Sequence, residues 1–369
     1  MNILYYSNGT NIQVVYRCMQ LIYLKEKEEL KRFQYFRKAL YQGDPSYVST
    51  DEFVVEDLLY QKTAFTRSCY VCPVIVEKNG KDVAEAMFIY NSRLPYFQIG
   101  FFEALEDQAD AVEKIVSAAK KEAKKLHAEN VVIGLNAHIS YGVGILTRGF
   151  DYKNSFDSIY NKPYYKEYFQ KYRKETLSTY YTEKAQADKM LVLSHGDVRI
   201  RHADMRNFKA ETELMRKLCD KTIGRTFLYY PTQEGHFYEL IKDMKPFLSG
   251  ENLLFAEGKD GNAVGFMFWH PDYNQMLPAG KQNSMLSIVL AYAFNRKVID
   301  MVKINAIGSL SPMATVALLT EFSRITGDKY RYLETNFVWD NNLRSTKINK
   351  RFFGKPHRKY EVYFTDEID

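Results

Sequence analysis

Residues 70–102 read YVCPVIVEKNGKDVAEAMFIYNSRLPYFQIGFF, and this stretch decides the fold class. Two runs rich in β-branched and aromatic residues, 70–77 and 83–90, flank Asn79-Gly80, a dipeptide that strongly indicates a tight hairpin turn. A third apolar run at 96–102 predicts one more strand. The stretch therefore predicts three consecutive strands, of which the first two are antiparallel.

Helical and strand patterns extend this stretch in both directions. Downstream, apolar spacing predicts a helix over 110–127 and a strand over 131–135. Upstream, it predicts a strand over 12–15 and a helix over 24–39. This order does not alternate strictly enough for a TIM barrel or a Rossmann domain, and no G-x-G-x-x-G follows the first strand. We predict an α/β fold in which helices pack on a mixed sheet, an arrangement of the α+β type.

The second half of the chain repeats the order of the first. A hairpin is again predicted, around Asp260-Gly261, and strand, helix, strand again follow it. We therefore predict two domains of one architecture, residues 1–190 and 191–369, which could share a continuous sheet. The predicted strands of the second half are 198–201, 253–257, 263–269, 298–307, 331–337 and 360–364, and its predicted helices are 206–219, 233–243, 312–326 and 342–353.

Composition and charge exclude several classes of protein. The 369 residues carry a formal net charge of +6, with 46% hydrophobic and 26% charged residues, so we expect neither a disordered chain nor a coiled coil. Four cysteines are too few for a disulfide framework in a chain this long. Cys69 and Cys72 form a lone C-x-x-C without the second pair that zinc needs, so we expect no metal site.

The same inspection gives expectations about location and partners. No apolar run is long enough to suggest a membrane span, and the first residues do not resemble a signal peptide, so we expect a cytoplasmic protein with no membrane partner. No long run of Lys or Arg is present, and we expect no DNA partner. We expect a monomer or a homodimer that acts on a small-molecule acceptor.

The chain resembles a known family in several places. The order of elements in each half resembles the acyl-CoA N-acyltransferase (GNAT) fold, and short segments between 12 and 364 resemble a bacterial group of tandem GNAT-like proteins. The resemblance implies two tandem GNAT-like domains, acyl-CoA or acetyl-CoA as the donor substrate, and an amine as the acceptor. The segments are IGFFEA (99–104), GFD (149–151), NKPYY (161–165), AEG (256–258), VGF (264–266) and PDYN (271–274).

In GNAT enzymes the pyrophosphate of CoA binds a glycine-containing turn that opens a helix, because backbone N–H groups there attract a dianion. The turn of the first half, 103–110, has four acids and no glycine, which implies a domain that does not bind CoA. The turn of the second half, 310–315, also lacks glycine, but Ser311-Pro312 predicts a well-capped helix start. The resemblance assigns donor binding to the second half, at Ile307, Gly308, Ser309, Ser311, Met313 and Asn342.

Acyl transfer to an amine needs a group that accepts the proton of the amine. Two residues of the second half are candidates for this base: Glu257, which ends a hairpin strand, and His270, which ordinarily titrates near neutrality. Glu334, on predicted strand 331–337, is a further carboxylate that could face the cleft. The Tyr that protonates the leaving thiolate in many family members falls at Asn349 here.

Amides and tyrosines follow predicted strands in both halves, an arrangement typical of a polar acceptor pocket. Turn chemistry is the alternative interpretation, since Asn and Pro commonly cap and end elements. The predicted acceptor-binding residues are Asn136, Tyr141, Asn161, Tyr164, Tyr165, Asp272 and Asn274.

Three functions are compatible with the sequence. The first is an N-acyltransferase whose donor lies between strands 298–307 and 331–337, with an acceptor site shaped by the first half. The second is a non-catalytic ligand-binding protein on the same fold, which the missing glycines favour. The third, ranked last, is an aminoacyl-tRNA-dependent transferase, compatible with the positive charge and with tyrosines that stack on bases.

Overall fold

The computed structural model describes residues 3–8, 11–16, 19–49, 52–189, 198–281 and 283–366. The strands are β1 (Ile3–Asn8), β2 (Asn11–Tyr16), β3 (Met19–Tyr23), β4 (Tyr70–Lys78), β5 (Lys81–Tyr90), β6 (Tyr96–Ala104), β7 (Asn130–Ile133), β8 (Ile145–Arg148), β9 (Arg173–Glu183), β10 (Arg199–His202), β11 (Leu253–Glu257), β12 (Ala263–Pro271), β13 (Met301–Ser309), β14 (Tyr332–Thr335), β15 (Val338–Trp339) and β16 (Pro356–Phe364). The helices are α1 (Lys27–Tyr41), α2 (Glu52–Leu59), α3 (Ala64–Arg67), α4 (Ala109–Lys125), α5 (Tyr165–Phe169), α6 (Lys184–Lys189), α7 (Phe208–Thr222), α8 (His236–Ile241), α9 (Met285–Asn295), α10 (Pro312–Thr326) and α11 (Leu343–Phe353).

One large mixed sheet runs through both halves. Among the described residues it has 14 strands, and β1 and β2 form a separate antiparallel hairpin. The order across the large sheet is β10-β11-β12-β13-β14-β9-β16-β7-β6-β5-β4-β3, with β15 attached to β9 and β8 attached to β16. Each half contributes one parallel pair, β6 with β7 and β13 with β14, next to its hairpin. The predicted mixed α/β sheet is confirmed.

The last strand of each half completes the sheet of the other half. β9 leaves the first half and pairs with β14 and β15, whereas β16 leaves the second half and pairs with β7 and β8. β9 and β16 also pair with each other, antiparallel, from Tyr180↔Pro356 to Arg173↔Phe364. The predicted boundary between residues 190 and 191 lies outside the described residues, and this exchange of strands connects the two sides of it.

The predicted hairpin of the first half forms for the reason that the sequence indicates. Asn79 and Gly80 have φ values of 54° and 75°, and positive φ at both positions matches the twist of the flanking strands. The predicted helix that follows is α4, whose buried Ala111, Ile115 and Ala119 recur at helical spacing and pack on these strands. Local pattern therefore determines this part of the sheet.

In the second half, α10 and α7 cover opposite faces of the sheet. Successive residues of β12 alternate between the two faces, because side chains along a strand point alternately up and down. Met267 packs in the core under α10, and Phe266 and Phe268 pack under α7. Within the described ranges, no helix is long and apolar enough to cross a membrane.

Candidate active site

The parallel strands β13 and β14 separate partway along their length. They pair over residues 301–304 and 332–335, and no described strand takes over the β14 side of β13 beyond that point. β13 stays paired with β12 along its other edge. A β-bulge places Asn305 as an extra residue opposite β12, and bulges of this kind bend a strand. Asn336, directly after β14, still donates from Nδ2 to the Asn305 carbonyl oxygen at 2.9 Å. Residues 306–309 of β13 therefore present one edge to a gap in the sheet.

A cavity of about 440 Å³ fills this gap and continues between the two halves. On one face of the sheet its walls include residues of α10 and α11. On the other face they include residues of α7, α8 and the segment that follows β8. Representative wall residues are Thr315, Leu319 and Ser345 on the first side and Met215, Phe237 and Phe268 on the second.

The start of α10 has the predicted cap. Ser311 Oγ accepts a 3.2 Å hydrogen bond from the Ala314 N–H group, and Pro312 occupies the first turn. Ser309 Oγ forms two hydrogen bonds within the turn: it lies 2.8 Å from the Ser311 carbonyl oxygen and 2.6 Å from Thr315 Oγ1. Among the predicted donor-binding residues, Ile307 and Asn342 line the cavity, whereas Gly308, Ser309, Ser311 and Met313 lie outside its walls.

Gly308 has a packing role. A Cβ atom at this position would lie 2.1 Å from Thr222 Oγ1 of α7 and 2.8 Å from Phe266 Cε1. The missing side chain thus lets α7 approach β13. The predicted contact of Gly308 with the donor finds no support in this geometry.

We expect Gly308→Ala to lower the free energy of unfolding by about 1–3 kcal/mol, because the added methyl group pushes α7 away from β13. Thr222→Ala removes the nearest atom, so the double variant G308A/T222A should be closer in stability to T222A alone than G308A is to the wild type. Urea denaturation of the four proteins measures both differences. Strictly additive losses would contradict this explanation.

The corresponding gap in the first half is bridged at its start, and the same cavity lines it farther along, at Phe101, Phe102 and Glu103. The Phe101 N–H group, beside the parallel pair of β6 and β7, donates a 2.8 Å hydrogen bond to Asn136 Oδ1. A Cβ atom at Gly100 would lie 2.7 Å from the carbonyl oxygen of Leu135, so β6 and the segment that follows β7 are in contact here. Asn136 lines the cavity, as a predicted acceptor-binding residue should, but its side-chain oxygen already serves β6. The cavity thus borders the strand gaps of both halves.

Lys303 of β13 holds a segment of the first half across the cavity. Its Nζ atom donates hydrogen bonds to the carbonyl oxygens of Phe156 and Asp157, at 3.1 and 3.0 Å, and to Ser158 Oγ, at 2.7 Å. Lys303 is 1% exposed, so these bonds replace its hydration. The segment 154–158 is therefore attached to the strand that borders the gap.

Asp272 and Asn274 anchor the same segment from a second direction. Asp272 Oδ1 accepts a 2.7 Å hydrogen bond from the Phe156 N–H group, and Asn274 Nδ2 donates one of 2.8 Å to the carbonyl oxygen of Asn154. Both side chains are buried, and burial raises the pKa of Asp272 to about 6. Both lie outside the cavity walls, so their predicted role in substrate binding finds no support.

Asp157 projects from this segment into the cavity. Its carboxylate accepts a hydrogen bond from Asn305 Nδ2, at the bulge of β13. Asp157 is exposed to the cavity, and loss of hydration to nearby protein atoms raises the pKa of its carboxyl, against the opposing effects of Lys303 and Asn305. Its φ of 59° lies in the left-handed region, which is uncommon for residues other than glycine.

Comparison with known proteins shows which fold this geometry belongs to. No protein-family model and no curated protein sequence matches the chain. Among solved structures, a tandem GNAT protein from the clavulanic acid biosynthesis pathway aligns with 95% of this chain and 99% of its own, at a TM-score of 0.54 and 9% sequence identity. The chain has a tandem GNAT fold.

Two further solved structures share this tandem GNAT fold. A conserved Enterococcus faecalis protein, described as a probable N-acyltransferase, aligns with 94% of this chain and 72% of its own at a TM-score of 0.53 and 10% identity. A glucosamine N-acetyltransferase region of a fungal multi-domain β-N-acetylglucosaminidase aligns with 97% of this chain and 39% of its own, at a TM-score of 0.55 and 10% identity. Identities this low support the fold alone.

The tandem GNAT fold places the two predicted bases differently. Glu257 lies outside the cavity walls, with Oε1 3.0 Å from Arg201 Nε, and this ion pair does not favour a role as a base. His270 lines the cavity on β12. Its Nδ1 is 2.9 Å from the Pro271 carbonyl oxygen and must donate there, so Nε2 carries the lone pair, and Nε2 has no partner among the described residues. Burial and the charge of Lys303 lower the pKa of His270 to about 3, so it is neutral and weakly basic.

The remaining residues predicted to bind the acceptor substrate mostly form hydrogen bonds with backbone groups of the protein. Tyr141, Asn161 and Tyr165 line the cavity, and Tyr164 does not. Asn161 Oδ1 accepts from the Leu146 N–H group at 2.6 Å, and Tyr164 donates to the Ala104 carbonyl oxygen at 2.8 Å. Turn and loop chemistry accounts for these contacts of Asn161 and Tyr164, and their acceptor-binding roles stay predictions.

Several polar residues of the site were not predicted. A buried ion pair, Arg37 Nη1 to Glu103 Oε1 at 2.8 Å, lines the end of the cavity in the first half, and Tyr165 also donates to Glu103 at 2.7 Å. Asp157, in a polar loop, gave no sequence signal. Lys303 did give one, because a lysine in the mostly apolar strand MVKINAI (301–307) predicts a buried, partnered charge.

Proposed function

We propose that the protein is an N-acyltransferase that moves an acyl group from acyl-CoA to an amine. The observation that carries this proposal is the separation of β13 and β14 at Asn305, which opens the sheet into the cavity between α10 and α11. A strand edge without a neighbour offers backbone groups to an extended, amide-containing chain such as pantetheine. The neighbouring structures named as acetyltransferases or as a probable N-acyltransferase support this function by analogy of fold.

The donor enters, in this proposal, along Ile307 and Thr315 on the α10 side and along Asn342 and Ser345 on the α11 side. The glycine-free turn 310–315 gives the pyrophosphate less backbone to approach than in most GNAT enzymes. Exposed cations on α11 compensate for this: they are Arg344, Lys347, Lys350 and Arg351. Binding of CoA should therefore weaken as ionic strength rises.

Titration of the full chain with acetyl-CoA tests the donor site. Ile307→Trp places a larger side chain in the cavity wall and should raise the Kd for acetyl-CoA by about tenfold or more, because the ligand and the indole compete for one space. Isothermal titration calorimetry measures the change. We expect the Ile307→Trp variant to keep the wild-type fold, and circular dichroism checks this.

Leu310→Trp is the matched control, since Leu310 is 56% exposed and lies outside the cavity walls. Its Kd should equal that of the wild type. No heat and no thermal shift with acetyl-CoA or longer acyl-CoAs would remove the proposal. Binding of acyl-CoA without release of CoA thiol, with any amine supplied, would support the non-catalytic binding protein instead.

A further inference from the structure

Asp157 differs from the other acidic residue that lines the cavity. Glu103 is paired with Arg37 and accepts from Tyr41 and Tyr165 hydroxyl groups. The Asp157 carboxylate has no ion-pair partner within 4 Å among the described residues, and it accepts a hydrogen bond from the neutral amide of Asn305. Asp157 therefore offers negative charge to a bound molecule, whereas Glu103 does not.

The backbone of Asp157 is held in its unusual conformation from outside. Lys303 Nζ donates hydrogen bonds to the carbonyl oxygens of Phe156 and Asp157. The Asp272 carboxylate accepts a hydrogen bond from the Phe156 N–H group. A left-handed φ of 59° costs free energy in an aspartate and persists only where the surroundings impose it. These contacts all come from the second half, so they fix the carboxylate of the first half against the bulge of β13.

An apolar wall adjoins the carboxylate. His270 packs between Phe156 and Phe268, with ring centroids 5.2 and 6.1 Å apart, and so connects the position of Asp157 to the α7 side of the cavity. That wall consists of buried or half-buried apolar side chains: Met215, Cys219, Ile223, Phe237, Ile241 and Phe268. Among the described residues that line the cavity, the one Arg or Lys is Arg37, which Glu103 neutralises. Lys303 Nζ lies behind the segment, bonded to oxygens of Phe156, Asp157 and Ser158. The site therefore suits a cation with an apolar body.

We infer that Asp157, although it belongs to the first half, is the catalytic base of the second half, and that it binds the ammonium group of an acceptor whose aliphatic or aromatic body lies on the α7 wall. This inference rests on the proposed acyl transfer. A carboxylate base from one half and a donor cleft from the other make the site composite. The raised pKa of the Asp157 carboxyl supports the inference, since a stronger base takes the proton more readily.

The step balances as follows. The acceptor ammonium gives one proton to the Asp157 carboxylate and becomes a neutral amine. The amine nitrogen attacks the thioester carbonyl carbon, a C–N bond forms, and the C–S bond breaks with its electron pair going to sulfur. The sulfur takes the second proton of the nitrogen, so the products are an amide and CoA thiol, and Asp157 returns its proton to solvent.

The test compares three probes that share one body: phenethylamine, 2-phenylethanol and phenylacetate, titrated calorimetrically into the full chain. Asp157→Asn is the informative variant, because asparagine tolerates the left-handed conformation and keeps the size of the side chain. We expect D157N to weaken phenethylamine binding by about 10- to 100-fold, the value of one charge-assisted contact. Binding of 2-phenylethanol and of acetyl-CoA should be unchanged, and kcat for CoA release should fall by about 100-fold or more.

Asp151→Asn is the matched control, since Asp151 is an exposed aspartate that lies outside the cavity walls. It should bind all three probes as the wild type does. Equal binding of phenethylamine by D157N and the wild type would overturn the role of Asp157, as would unchanged kcat. No binding of phenethylamine by the wild type, or tighter binding of phenylacetate, would overturn the acceptor class. Absence of acetyl-CoA binding with intact amine binding would remove the acyl transfer and leave the amine site standing.

Discussion

Cutting the chain between its halves should give two fragments that fold only together. With a cut inside 190–197, the first fragment keeps β9 but loses β16, and the second keeps β16 but loses β9. Each fragment then lacks a strand from the interior of its sheet, and β7 or β14 becomes an unpaired edge with an apolar face. We expect each fragment alone to be unfolded or aggregated, and the two to copurify when they are expressed together.

A protease site inserted at the same position provides the control. Cleavage after folding should leave the two fragments associated, because β9 and β16 stay paired along their length. Size-exclusion chromatography and circular dichroism measure association and folding. A first fragment that shows a cooperative thermal transition by itself would contradict the exchange of strands described above.

Replacing Lys303 by Met should affect both stability and binding. The variant removes three hydrogen bonds and leaves the carbonyl oxygens of Phe156 and Asp157 buried without their donor. Each such orphaned group costs about 1–3 kcal/mol, so we expect the free energy of unfolding to fall by about 3 kcal/mol in total after the relief of burying a charge. Urea denaturation measures this loss.

The same variant should lose affinity for phenethylamine as D157N does, because Asp157 is no longer held against β13. Lys221→Met is the control: Lys221 is exposed at the end of α7 and is expected to leave both quantities unchanged. Wild-type amine affinity in a destabilised K303M would show that Lys303 serves stability alone. Unchanged stability would show that the bonds to residues 156–158 contribute little.

Elements built from local pattern were predictable, and the partnership between them was not. The hairpins around Asn79-Gly80 and Asp260-Gly261, helix α10 and its Ser311 cap all follow from residues within one or two turns of each other. β9 was missed because RKETLSTYYTE (173–183) is polar at both ends and lacks strict alternation. Its place between β14 and β16 depends on contacts about 150 or more residues away, which no local pattern contains.

The candidate site divides in the same way. The gap between β13 and β14 lies where the resemblance implies a donor cleft, because the resemblance fixed which strands flank it, and donor binding there stays a prediction. Ile307, Asn342 and His270 line the cavity that fills this gap, and their roles stay predictions. Asp272 and Asn274 were chosen for their chemistry, yet that chemistry is used on the backbone of 154–158. A polar residue type therefore signals a role, and only the fold shows whether its partner is a ligand or the chain itself.

The position of β16 has a consequence for the order of events on the ribosome. This strand follows every other described strand along the chain, yet it lies at the centre of the large sheet. During synthesis the edge of β7 stays unpaired until β16 has been made, and unpaired strand edges can form wrong pairings. Completion of the first half is thereby delayed until residues 356–364 emerge, so the two halves mature at the same moment.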